Sequence, residues 1–187
     1  RPEFEVKTQV SEGPHLVGGG ADLTVAAAYF AGGGLADAPV RWSVTAAPGH
    51  FSPPGRDAFT FGVWTPWWDS PRGDDEGERP ASRDESFAAR TDAAGKHRLR
   101  VDFRAVHPPR AQSLRAEATV TDVNRQAWTA TALLVVHPAS LYVGIRSERA
   151  FYEAGQPIPV DAIVTDLDGQ AVAGRTVALR AVRVDWE

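Results

Sequence analysis

A chain of 187 residues with a formal net charge of −4 offers no basic face to a nucleic acid, which sets nucleic-acid partners aside. It contains no cysteine, so disulfides, zinc–thiolate centres and thiol catalysis are excluded from these residues. No apolar run reaches the ~18 residues that a membrane-crossing helix needs; the longest such stretch, Ala130 to Val136, is strand-sized. Membrane insertion by this segment is not expected. The chain starts at Arg1-Pro2 in mid-pattern and reads as a piece of something longer, with targeting information outside it.

From the amino terminus, Phe4 to Val10 alternates apolar and polar residues, the period-2 sign of a half-buried strand. Gly13, Pro14 and Gly18-Gly-Gly20 punctuate it. In the second strand Leu23, Val25, Ala27 and Tyr29 share one face; Gly32-Gly-Gly34 and Asp37 turn the chain, and Val40 to Val44 alternates again around Trp42. Strands resume at Ser86 to Thr91. After the Asp92 to Gly95 turn, Leu99, Val101 and Phe103 alternate with charged residues. Leu114, Ala116, Ala118 and Val120 form the next inward face, Asp122 to Gln126 turn the chain, and Trp128 to His137 make a seventh strand. Seven short strands with Gly/Pro turns predict an all-β fold, an antiparallel Ig-like sandwich over residues 1–137.

The pattern then restarts. Leu141 to Ile145 reads as a strand, Ala154 to Pro157 as a turn, Ile158 to Val164 as a second strand, Asp166 to Gly169 as a turn, and Val177 with Leu179 as the start of a third. Leu23-x-Val25-x-Ala27-x-Tyr29 matches Ile158-x-Val160-x-Ala162-x-Val164, each shortly after a glycine, Gly20 or Gly155. This internal repeat makes residues 138–187 the incomplete second copy of the module. Half a sandwich exposes one apolar face and its sheet edges, so this tail is expected to be poorly ordered or ordered only by pairing with a neighbouring chain.

Between the third and fourth strands lies an insertion, residues 48–84, too long for a hairpin loop. Its second half, Asp69 to Glu85, is a charged, aperiodic loop in which Arg72, Arg79 and Arg83 interleave with the acids. Its first half holds three of the six tryptophans and three of the eight phenylalanines: Phe51, Phe59, Phe61, Trp64, Trp67 and Trp68. Pro53, Pro54, Gly55 and Pro66 prevent a helix there and cut any strand short. These aromatics form either a packing surface for a β domain or a stacking platform for a sugar or peptide. The rigid Pro53-Pro54-Gly55 turn favours packing.

No other residues carry chemistry. His15, His50, His97, His107 and His137 are scattered without metal-ligand spacing, and His97 reads as part of a polar edge beside Arg98 and Arg100. The acidic insertion lacks an EF-hand pattern, and Asp166-Leu-Asp-Gly169 is first of all a turn. No Gly-x-Ser-x-Gly elbow is present, and the glycine runs lack a phosphate-loop lysine. No catalytic residue, cofactor or metal is expected.

Several segments together, however, resemble one family. They are Arg1-Pro-Glu-Phe-Glu-Val6; Phe51-Ser-Pro-Pro-Gly55 leading to Phe59-Thr-Phe-Gly62 and Trp67-Trp68; Thr91-Asp-Ala-Ala-Gly95; and Leu141-Tyr-Val-Gly-Ile145 followed by Phe151-Tyr-Glu-Ala-Gly155. The chain looks like part of a bacterial alpha-2-macroglobulin, built from tandem seven-stranded macroglobulin-like sandwiches. The resemblance implies a non-catalytic scaffold region from the amino-terminal half of a periplasmic, membrane-anchored protease inhibitor. Its partners would be neighbouring macroglobulin-like domains of the same chain, and target proteases only through the full-length protein. The family's thioester has no counterpart here, because there is no cysteine. The other class that fits is an Ig-like carbohydrate- or protein-binding module of a surface adhesin, with the aromatic insertion as its platform.

Overall fold

The computed structural model describes residues 3–63 and 82–183, and every described regular element is a β-strand. The chain divides into two compact units, one from described residues 3–51 and 82–139, the other from 52–63 and 140–183. Trp64, Trp67, Trp68 and most of the charged loop lie outside the described residues.

The first unit is a sandwich. One sheet has the order β1 (Phe4–Val10), β3 (Gly20–Tyr29), β7 (Lys96–Asp102). The other has the order β2 (His15–Leu16), β9 (Ala127–His137), β8 (Gln112–Thr121), β4 (Pro39–Pro48), β6 (Arg83–Arg90). All pairings are antiparallel except β2 with β9. The seven strands expected from alternation are all present, and β2 is a two-residue addition.

Between the sheets lies one core, made of the side chains that alternation points inward: Leu23, Val25 and Ala27 from β3, Val40, Trp42 and Val44 from β4, and Leu114, Ala116, Ala118 and Val120 from β8. Trp42 is fully buried, and its indole Nε1 donates to His97 Nδ1 at 3.1 Å. This corrects the reading of His97 as a polar-edge residue. Residues 97, 99 and 101 share a face, and His97 sits opposite Val25 in the register, so it turns toward the core. There it supplies the acceptor that a buried indole N–H requires.

The second unit contains β5 (Thr60–Phe61), β10 (Tyr142–Ser147) and β11 (Val160–Thr165), in the sheet order β11-β10-β5. Its β10–β11 hairpin repeats the β1–β3 hairpin residue for residue. Raising each number by 137 turns the pairs Val6↔Ala27 and Thr8↔Val25 into Val143↔Val164 and Ile145↔Ala162, all four observed. The same shift carries the Leu35 N–H bond to Ala27 O onto that of Val172 N–H to Val164 O. The isolated bridge Ala28↔Gly34 becomes Thr165↔Ala171. It also carries Gly18 (φ 85°) onto Gly155 (φ 86°) and Asp37 (φ 54°) onto Gly174 (φ 71°).

The repeat seen in the sequence is therefore real but displaced by two residues. Leu23 corresponds to Val160, not Ile158, and Gly155 to Gly18, not Gly20. A displacement of two leaves every side chain on its original face, so alternation alone cannot detect it.

The inward face of β1–β3 is covered, whereas its counterpart is open. Val143 is 47 %, Ile145 46 % and Val160 41 % exposed, against 0 % for Leu23 and Val25. Val177 and Leu179, expected to start a strand, belong to none. The corresponding β4 is held by β6 and β8, which have no counterparts among the described residues of this unit. The strand pair does not depend on a neighbouring chain for its edge partner, because β5 of the same chain lies along β10.

Candidate functional site

Segment 51–63 holds three of the six candidate aromatics, and its local structure follows from its sequence. Arg56 N–H bonds to Pro53 O at 3.3 Å across a turn with Pro54 second and Gly55 third at φ 69°. Proline at the second position and glycine with positive φ at the third are the requirements of a type II turn. A second turn closes with Phe59 N–H to Arg56 O at 2.9 Å. The chain then extends, and Thr60 and Phe61 pair antiparallel with Ile145 and Gly144.

Each described aromatic has its own surroundings. Phe51 is half-buried in the first unit and meets the His137 ring edge-on, with centroids 4.6 Å apart. Phe59 is half-buried in the second unit and lies 4.8 Å beneath the Arg146 guanidinium, a cation–π contact. Arg146 is in turn held by Asp161 on the adjacent strand, with Nη2 to Oδ2 at 2.6 Å. Phe61 is 2 % exposed. Full burial of a phenylalanine contributes roughly 1.5–3 kcal/mol, which fixes the end of β5.

Two glycines make room for the segment. A Cβ on Gly144 would stand 2.6 Å from the Phe61 ring and 3.1 Å from Phe59 Cβ, so the aromatic pair rests on a strand position that has no side chain. A Cβ on Gly169 would stand 2.1 Å from Pro54 O. Gly169 O also accepts from Arg56 Nε at 2.8 Å, which pins the proline turn to the Asp166–Gly169 turn. That turn is closed by Asp166 Oδ1, which accepts from Asp168 N–H and Gln170 N–H.

Sequence reasoning singled out the aromatics and missed the positions that receive them: Gly144, Gly169, Arg146, Asp161 and Arg56. One signal was available. A glycine inside a strand, as in Tyr142-Val-Gly-Ile145, marks a close approach by another backbone or ring. Beside the segment, a recess of about 470 Å³ is lined by Ala58, Thr60, Ile145, Arg146 and Val160, on the open face of the sheet.

Electrostatically the described residues are quiet. Arg98 beside Asp22, and Arg90 beside Asp37, hold those carboxyls below their ordinary value of 3.8. Burial, and secondarily the charge of His15, hold the His137 imidazole below 6.5. Burial pushes the Tyr142 hydroxyl up to about 12. Among the described residues no three His, Cys, Asp or Glu side chains converge as metal ligands. No described helix is long and apolar enough to cross a membrane.

Comparison with known proteins adds the following. No family model matches the chain. It is 21% identical over 185 residues to an alpha-2-macroglobulin homolog of Nostoc, covering 99% of this chain and 9% of that protein. It is 25% identical over 130 residues to the circularly permutated Ras protein 2 of Dictyostelium discoideum, covering 68% of this chain and 3% of that protein. Among solved structures, the native conformation of Escherichia coli alpha-2-macroglobulin matches with a TM-score of 0.65 and 14% identity, over 91% of this chain and 11% of that one. The trypsin-activated form of the same protein matches with a TM-score of 0.65 and 13% identity, over 90% of this chain and 12% of that one. The chain thus spans less than a tenth of the curated relatives' length.

Proposed function

We propose that this chain, which has the macroglobulin-like fold of bacterial alpha-2-macroglobulins, is a non-catalytic scaffold region of such a protein and contributes to protease trapping only within the whole molecule. The observation that carries the reading is the in-register repeat. One sandwich is followed by the first hairpin of another with the same pairing, as tandem macroglobulin-like modules require. On this reading residues 1–137 are one macroglobulin-like domain, and residues 138–187 begin a second, to whose sheet residues 60–61 also contribute. Val143, Ile145 and Val160 are then core residues of that second sandwich, awaiting an opposite sheet as Val6, Thr8 and Leu23 have theirs.

Within this role Phe51, Phe59, Phe61, Trp64, Trp67 and Trp68 serve domain packing. Support comes from Phe61, which is buried, and from Phe59, which is held under Arg146. A stacking platform for sugars would present its aromatic faces to solvent, and no described aromatic of this stretch favours that reading. The place of work is the periplasm, in an envelope-associated protein, and the partners are adjacent macroglobulin-like domains.

The test uses the full-length protein. Incubated with trypsin or elastase in molar excess over the protease, it is expected to suppress digestion of a large protein substrate. Undiminished digestion at every ratio would reject the trapping role.

A further inference from the structure

We propose that the β10 edge is a built receptor for an extended Phe-x-Phe segment, filled by residues 59–61 of the chain itself. Residues 59–61 then act as the second unit's own edge-strand ligand. Four features of the second unit converge on this segment. Gly144 leaves the strand bare where the Phe61 ring lies, and Gly169 leaves the turn bare where Pro54 O lies. Arg146, braced by Asp161, covers Phe59. Gly169 O accepts the Arg56 side chain. Main-chain pairing supplies affinity, and side-chain recesses supply specificity, the general logic of adding a strand to a sheet edge.

The repeat provides an internal control. The hairpin β1–β3 has the same register, but Lys7 stands where β10 has Gly144, and Gln9 and Thr24 stand opposite each other where β10–β11 has Arg146 and Asp161. A lysine Cβ at the Gly144 position would meet the ring that the glycine accommodates. Among the described residues no strand is added to the free edge of β1. Recognition is thus written into the second hairpin and not into the module as such. The inference is independent of the protease-trapping role, since it concerns only what fills this edge.

Amide hydrogen exchange of the intact chain tests it. In the double variant F59A/F61A, exchange at Ile145, whose N–H faces β5, is expected to quicken at least tenfold, while β4 and β8 stay unchanged. A synthetic peptide of residues 52–63, added in excess, is expected to restore protection, and the same peptide with alanine at both phenylalanines to restore none. In Gly144→Val the site itself is blocked, so protection is lost and the peptide does not restore it. Should the double variant lose protection throughout 142–165, Arg56→Ala is read instead, with quickening confined to 55–61 and Ile145 as the supporting result. Unchanged exchange at Ile145 in the double variant, peptide rescue of Gly144→Val, or no quickening in Arg56→Ala would each overturn the proposal.

Discussion

The hairpins β1–β3 and β10–β11 have the same register, the same closing bridge and the same left-handed positions, yet one buries its apolar face and the other exposes it. Hairpin geometry is therefore set locally, by where the turn residues and hydrogen bonds fall. Burial is set from outside, by the five-stranded sheet that covers β1–β3 and has no counterpart over β10–β11 among the described residues. The hairpins differ at the edge as well. The open one carries an added strand seated on a glycine, and the covered one has a lysine there.

The most damaging substitution is expected at the covered side. Trp42→Ala empties the largest fully buried side-chain site among the described residues and leaves His97 Nδ1 without its donor, a loss of about 3–5 kcal/mol from the first unit in denaturant unfolding. Leu23→Ala is expected to cost about 3 kcal/mol, whereas Val160→Ala, its counterpart at 41 % exposure, costs under about 0.5 kcal/mol in this chain. Equal losses at the two sites would contradict this difference, because they would require the second hairpin to be covered too.

A smaller contrast separates two glycines with nearly equal φ in the second unit. Gly155→Ala meets no atom and carries only the left-handed backbone penalty of about 1–2 kcal/mol. Gly169→Ala adds a clash with Pro54 O and is expected to cost about 1–3 kcal/mol more, with Phe61 gaining exposure. Melting temperatures of the two variants, read side by side, check the difference.

The smallest effect is a pH dependence confined to the first unit. Burial first and His15 second lower the folded pKa of His137, so below pH 6.5 the unfolded chain binds protons that the folded chain refuses. The stability tied to this histidine is complete above pH 6.5 and is lost as pH falls through the lowered folded value. Denaturant midpoints at pH 7.5 and 5.5 are expected to differ less in His137→Gln than in the parent chain.

Much of this was legible in the residues. Alternation in Leu23 to Tyr29, Val40 to Val44 and Leu114 to Val120 named the inward faces correctly, because a strand's side chains can point only two ways. It misplaced the repeat by two residues and set His97 on an edge, since faces carry no information about which residues lie opposite. The aromatic stretch was recognisable by composition, but its receptor was not. Gly144, Arg146, Asp161 and Gly169 lie more than 80 residues downstream of Phe61, and nothing local links them to it.

Strand content, turn positions and the repeated strand pair thus belong to short-range chemistry: period-2 hydrophobicity, Pro and Gly punctuation, and Asp-capped turns. The assignment of residues 52–61 to the second unit belongs to long-range packing. A two-residue strand has no propensity signal of its own. It exists because Gly144 and Gly169 leave room for it and because the edge of β10 leaves backbone donors and acceptors to be paired.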